Sequence, residues 1–186
     1  MDWRAKYQQG LPYGEFLERY GSEVHRERWR RVYEGVSLTP HQRALLEGFQ
    51  RDMKLLVLAG TWCGDCVHQC PILQRFAEAT SRIGLRFLDR DEHPDLRELV
   101  SINRGYRIPV VVFLSEDFVE VARYGERTLS LYRQMALDRL GPACPVGIQP
   151  PGEDLLRDVT QEWLNEVERV QLLLRLSPRL RALHGD

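Results

Sequence analysis

Apolar residues recur in two rhythms along this chain, and the changes of rhythm lay out its elements. Tyr13, Phe16, Leu17, Tyr20 and Val24 return every three or four residues, with Trp29 and Val32 extending the series, which predicts helix over 13–34. Gly21 weakens the middle enough to split it into two shorter helices. Thr39-Pro40-His41-Gln42 reads as a helix start. Thr39 is the N-cap, Pro40 takes the first helical position and Gln42 completes a capping box. That helix runs toward Asp52, with Leu45, Leu46 and Phe49 on its apolar face. Residues 54–59 then form a continuous apolar run, the pattern of a buried strand. A helix-compatible segment starts at Cys63. Residues 85–89 alternate as a second strand, and Pro94 opens a short helix to Ile102. Residues 110–114 are a third strand. A tight turn at Ser115-Glu116-Asp117 leads to a fourth at 118–123, which Gly125 ends, and a helix over 127–140 follows.

The order from 40 to 140 predicts an α/β fold: a central mixed sheet of four strands flanked by helices. A proline- and glycine-rich linker covers 141–152, and a long helix spans 153–176. Its apolar stripe is Leu156, Val159, Trp163, Val167, Val170 and Leu174. The expected organisation is an N-terminal helical extension (1–38), a core domain (39–140) and a C-terminal helical extension (141–186). Neither outer stripe can face water without leaving an apolar patch. Both are therefore expected to pack together against the core, with the Cys63 edge left open. The rival use of the 153–176 stripe is a dimer seam; a monomer is favoured.

Composition narrows the function. The chain has 186 residues, 43% apolar and 28% charged, with a net charge of −1. That balance gives no electrostatic case for nucleic acid or an anionic membrane. The opening MDWRAKYQQG has no apolar signal segment, and no apolar run approaches the roughly 20 residues of a membrane span. A cytoplasmic location is expected. Three of the four cysteines fall within eight residues, which is not a structural disulfide framework. In a reducing compartment such a cluster is catalytic or metal-binding.

The densest chemistry is Cys63-Gly64-Asp65-Cys66, set between a strand and a helix. A thiolate is the nucleophile in disulfide exchange. At a helix start, Cys63 meets unpaired N–H groups and the positive dipole end, so its pKa is expected below the free value of about 8.5, with Cys63 the more exposed thiol. Cys66, three residues on, faces the same way and can attack a mixed disulfide held on Cys63. Gly64 lets a bulky disulfide approach. Asp65 suits the helix dipole but disfavours a thiolate beside it; the two effects oppose and leave no net sign. Cys70, four residues after Cys66, reads first as a small buried residue, with a third redox thiol or a metal ligand as alternatives. Pro71 should kink the helix. Ile108-Pro109 directly precedes a β-branched run, and a cis bond there would present the backbone of Ile108 to an extended substrate. Three thiols on one straight helix cannot converge on a single ion, so no metal is expected. His68 points away from Cys63, and His25, His41, His93 and His184 are scattered; Cys144 reads as a free thiol in the linker, with an auxiliary thiol folded back to the active site as the alternative.

With those motifs in place, residues 54–125 resemble thioredoxin. TWCGDC stands where that family has a tryptophan-preceded Cys-Gly-Pro-Cys; Pro71 matches its helix-kinking proline, RIPVVVFL its cis-proline and following strand, and Gly125 a glycine after the last strand. The resemblance implies a thioredoxin-like fold and a thiol–disulfide oxidoreductase. Cys63 would attack, Cys66 resolve, Trp62 pack beside the site and Pro109 be cis. No cofactor beyond the redox-active disulfide is implied. The partners would be a disulfide-containing protein or small molecule, and a thiol or flavoprotein reductant. Two departures stand out. Asp65 replaces the usual proline, and Val57 occupies the place of the family's buried aspartate, with Asp89 or Asp91 as substitutes or as plain solvated acids. Two rivals stay open: a redox-inactive thioredoxin-fold module that binds or holds partners, and a metal-binding cysteine protein.

Overall fold

A computed structural model of the chain describes residues 1–140 and 154–186. Four strands, β1 (Met53–Ala59), β2 (Ile83–Asp89), β3 (Val110–Ser115) and β4 (Glu120–Gly125), form one mixed sheet in the order β2-β1-β3-β4. β1 pairs in parallel with β2 and antiparallel with β3, which pairs antiparallel with β4. β1 and β3 are buried along almost their whole length, so their apolar residues do not alternate with polar ones. The expected fold is therefore present.

The helices among the described residues are α1 (Trp3–Gln9), α2 (Tyr13–Tyr20), α3 (Glu23–Gly35), α4 (Pro40–Glu47), α5 (Gly64–Ala79), α6 (Pro94–Leu99), α7 (Leu129–Leu140), α8 (Leu155–Leu176) and α9 (Pro178–His184). The capping box opening α4 forms on both sides, between Thr39 and Gln42. α4 ends at Gly48, before the expected Asp52, because Phe49 turns into the core ahead of β1. Pro71 lies inside α5.

The 13–34 series divides at Gly21, where a Cβ would lie 2.6 Å from the Leu17 carbonyl oxygen. The break resets the helical phase, and this corrects one apolar position. Val24 is 67% exposed, while Trp29 and Val36 of the restarted series are buried. Trp29 and Phe16 pack around Phe87 of β2, with ring centroids 6.4 Å and 5.4 Å away. Before α2, Leu11 exchanges two 2.8 Å backbone hydrogen bonds with Phe87 and so covers part of the open edge of β2.

α3 and α8 both lie against α5, and they touch at Gly35 and Leu156. Along α8, Val159, Trp163, Val167, Val170 and Leu174 are all buried, with Leu156 half-buried. From Val159 to Leu174 the stripe is thus covered by the chain's own core. Trp163 meets Tyr124 of β4 edge-on at 4.9 Å. Each such side chain contributes roughly 1.5–3 kcal/mol on burial, so the outer helices are held firmly. The linker at 141–152 and its Cys144 lie outside the described residues.

Candidate active site at the Cys63 turn

The end of β1 carries the chain into Gly60-Thr61-Trp62 and then into α5. Cys63 is the N-cap of α5, in extended conformation, and its carbonyl accepts the Val67 N–H at 3.0 Å. The turn before it is braced from the N-terminal helices. The Trp29 indole N–H donates to the Thr61 carbonyl at 2.9 Å, and the Thr61 hydroxyl donates to the Tyr20 carbonyl at 2.9 Å. His25 Nδ1 lies 3.4 Å from the same hydroxyl.

Cys63 is 9% exposed and Cys66 fully buried, so Cys63 is the accessible thiol of the two, as expected. Its sulfur donates to the Ile108 carbonyl oxygen at 3.6 Å. The Ile108–Pro109 bond is cis. The entry to β3 therefore stands directly beside the thiol, although the two are 45 residues apart. Gly125 closes the other side at φ +148°, where a Cβ would lie 2.4 Å from the Pro109 carbonyl oxygen. No side chain fits there. Gly64 has nothing within 4 Å of a would-be Cβ, so the turn is uncrowded beside Cys63. Trp62 is 44% exposed, with the Arg90 guanidinium 4.6 Å above its ring.

The expected lowering of the Cys63 pKa is reversed. Hydrogen bonding with the Cys66 thiol, together with burial, pushes Cys63 up from the ordinary thiol range, and the Asp65 charge adds to this. A backbone N–H of the first helical turn opposes these effects and does not outweigh them. Cys66 is pushed well up, first by burial and also by contact with the Cys70 thiol. Cys70 is fully buried one turn deeper. Val57 lies in the core, and Asp89 accepts the Asp91 and Glu92 N–H groups at 2.9 and 3.3 Å, capping the loop after β2. His68 is exposed. Among the described residues no three His, Cys, Asp or Glu side chains are grouped to hold a metal ion.

Several residues at the site escaped the reading of the sequence. Arg127 grips Asp65 with two hydrogen bonds, Nε to Oδ1 at 2.8 Å and Nη2 to Oδ2 at 2.5 Å. Glu126, its neighbour, is buried and receives Arg107, Arg127 and the Tyr132 hydroxyl on one oxygen at 2.7–2.8 Å. Gln69 of α5 donates to the Glu126 carbonyl at 2.8 Å and accepts the Trp163 indole N–H at 3.0 Å. The one local signal was position: Glu126 and Arg127 follow the glycine that abuts Pro109.

A family model described as Thioredoxin matches residues 10–138, more than two thirds of the chain. The chain belongs to the thioredoxin family. Among solved structures, a protein of unknown function from Pseudomonas aeruginosa is 21% identical, with a TM-score of 0.69 over 91% of this chain and 96% of that one. An HIV epitope scaffold is 20% identical, with a TM-score of 0.67 over 91% of this chain and 97% of its own. These likenesses concern the fold. The 9% of this chain outside them is shorter than either helical extension, so the shared thioredoxin-family fold takes in part of both extensions. No curated protein matches the chain.

The buried thiol gives this thioredoxin-family protein a predictable alkaline limit. An unfolded cysteine ionises near 8.5, whereas folded Cys66 keeps its proton to higher pH. The stabilisation is fully present below about pH 8.5 and is lost as pH rises toward the folded value. Urea unfolding of the reduced protein, followed from about pH 8 to about pH 10, should show stability falling more steeply than in Cys66→Ala, by up to about 1.4 kcal/mol per pH unit. Parallel slopes would show that Cys66 is not held protonated.

Proposed function

We propose that the protein is a thiol–disulfide oxidoreductase working through Cys63 and Cys66. The observation that supports this most directly is the accessible Cys63 thiol at the start of α5, 3.6 Å from the Ile108 carbonyl of a cis Ile–Pro bond, with a second thiol buried behind it. Cys63, as thiolate, attacks one sulfur of a substrate disulfide. That disulfide breaks, one substrate thiolate leaves, and a mixed disulfide forms on Cys63. Cys66 then attacks the Cys63 sulfur, giving the Cys63–Cys66 disulfide and releasing the second substrate thiolate. The substrate gains two electrons and the protein dithiol loses two. With no carboxylate at position 57, the proton of Cys66 passes to the departing substrate thiolate. A small thiol or a flavoprotein returns the two electrons.

Trp62, Gly64, Ile108 and Pro109 form the docking surface in this reading, with the Ile108 backbone beside the substrate. The substrate is the disulfide of a protein or small molecule, in a reducing cytoplasmic compartment. No helix among the described residues is long and apolar enough to cross a membrane. Reduction of insulin by dithiothreitol tests the proposal. Catalytic amounts of the protein should accelerate precipitation of the insulin B chain. No acceleration, with the dithiol intact by thiol titration, would favour a module that only binds partners.

A further inference from the structure

The Asp65–Arg127 pair gives the Cys63 turn a feature that the cysteine spacing does not reveal. Both side chains are mostly buried, at 24% and 15% exposure, and the contact is bidentate. Arg127 is also anchored from behind, 2.8 Å from a Glu126 carboxylate whose side chain is 4% exposed. Gln69 ties the same two segments together, donating to the backbone carbonyls of Asp65 and Glu126 at 3.2 and 2.8 Å. A partly buried, two-point contact of this kind is fixed in geometry and is screened less than a surface pair.

Charged and titratable groups surround the Cys63 turn on several elements. Its own helix supplies Asp65 and the Cys66 thiol. The loop after β4 supplies Glu126 and Arg127, the residue before Ile108 supplies Arg107, and Arg90 lies over Trp62. Asp65 alone would oppose a thiolate two residues away. Arg127, clamped to it, offsets part of that charge and directs the carboxylate toward the loop after β4.

We propose that Arg127 is a positioning residue for the attacking thiol: anchored on Glu126, it offsets the Asp65 charge and fixes the turn, so that an acid is tolerated between the two cysteines. This rests on the reading of Cys63 as the attacking thiol. It makes Asp65 and Arg127 one unit with opposite signs. Removing the cation leaves a bare carboxylate beside Cys63 and slows thiolate formation. Removing the carboxylate leaves the cation, partly countered by Glu126, and speeds it.

The test is the pH profile of iodoacetamide alkylation at Cys63 in the full-length reduced protein, read by peptide mass spectrometry. Arg127→Gln should react about three- to tenfold more slowly near neutral pH, the size expected for one uncompensated charge at a partly solvated site. Asp65→Asn should react faster by a similar factor, and the double variant should return to within about twofold of the wild type. A role confined to holding the fold would move both single variants in the same direction. That result, or no change in either, or a double variant that stays displaced, would overturn the proposal. Arg127→Lys, which keeps the charge and loses the fork, should fall between Arg127→Gln and the wild type, and it keeps the test open if Arg127→Gln does not fold. Insulin reduction is measured on the same samples. If the wild type reduces no insulin while the alkylation pattern holds, the oxidoreductase reading fails and the role of Arg127 stands.

Discussion

Cys63→Ser should abolish disulfide exchange, and Cys66→Ser should convert the protein into a trap. The asymmetry comes from placement. Cys63 is the thiol that solvent and the Ile108 carbonyl both reach, whereas Cys66 is fully buried behind it. Without Cys63 no mixed disulfide can start, because nothing outside reaches Cys66. Without Cys66 the first exchange still runs, but nothing inside can release the substrate. Non-reducing electrophoresis of Cys66→Ser incubated with a disulfide substrate should show a covalent adduct that dithiothreitol dissolves, and Cys63→Ser should show none. Steady turnover by Cys66→Ser would sink the two-thiol mechanism. Cys70 is the control. Buried one turn deeper, it is expected to be dispensable for exchange.

Trp163→Ala should be the most damaging change outside the thiols. The ring is fully buried between α5 and β4, and removing a large buried aromatic costs about 3–5 kcal/mol. The loss has a second part. The indole N–H is a partner of Gln69, whose amide also holds the Glu126 carbonyl. Truncation leaves a buried amide oxygen short of a donor, which adds about 1–3 kcal/mol. Against a typical stability of about 5–15 kcal/mol, this brings the protein close to unfolding at ambient temperature. Chemical denaturation should show the midpoint collapse. Trp163→Phe should recover most of the packing without the hydrogen bond, which separates the two parts. A midpoint within experimental error of the wild type in Trp163→Ala would mean that α8 does not hold the core.

Elements governed by local rules were legible in the sequence. The Thr39 capping box, the β-branched run after Pro109 and the α8 stripe each depend on residues a few positions apart, and each appears where its pattern puts it. Val24 went astray because a helical periodicity carried across Gly21 assumes an unbroken phase, and the chain restarts at Ser22. At the site, the cysteines and the cis-proline could be named from short motifs. Arg127 could not. It meets Asp65 across 62 residues, and nothing in either neighbourhood encodes the pairing. The same distance explains why the charge effect of Asp65 could not be signed. The Cys63 acidity was misjudged for a related reason: the helix start is visible in the sequence, but the burial and the neighbouring thiol that oppose it belong to the folded molecule.

The brace from Trp29 to Thr61 also orders events during synthesis. Trp29 leaves the ribosome 32 residues ahead of Thr61, so the helix that steadies the cysteine turn is already made when the turn emerges. The opposite wall of α5 comes much later, since Trp163 follows Gln69 by 94 residues. A nascent chain therefore carries its thiol helix with one flank covered and the other bare until translation is nearly complete. Through that interval the apolar side awaiting α8 lacks its cover, the kind of surface that makes an incomplete chain prone to aggregate.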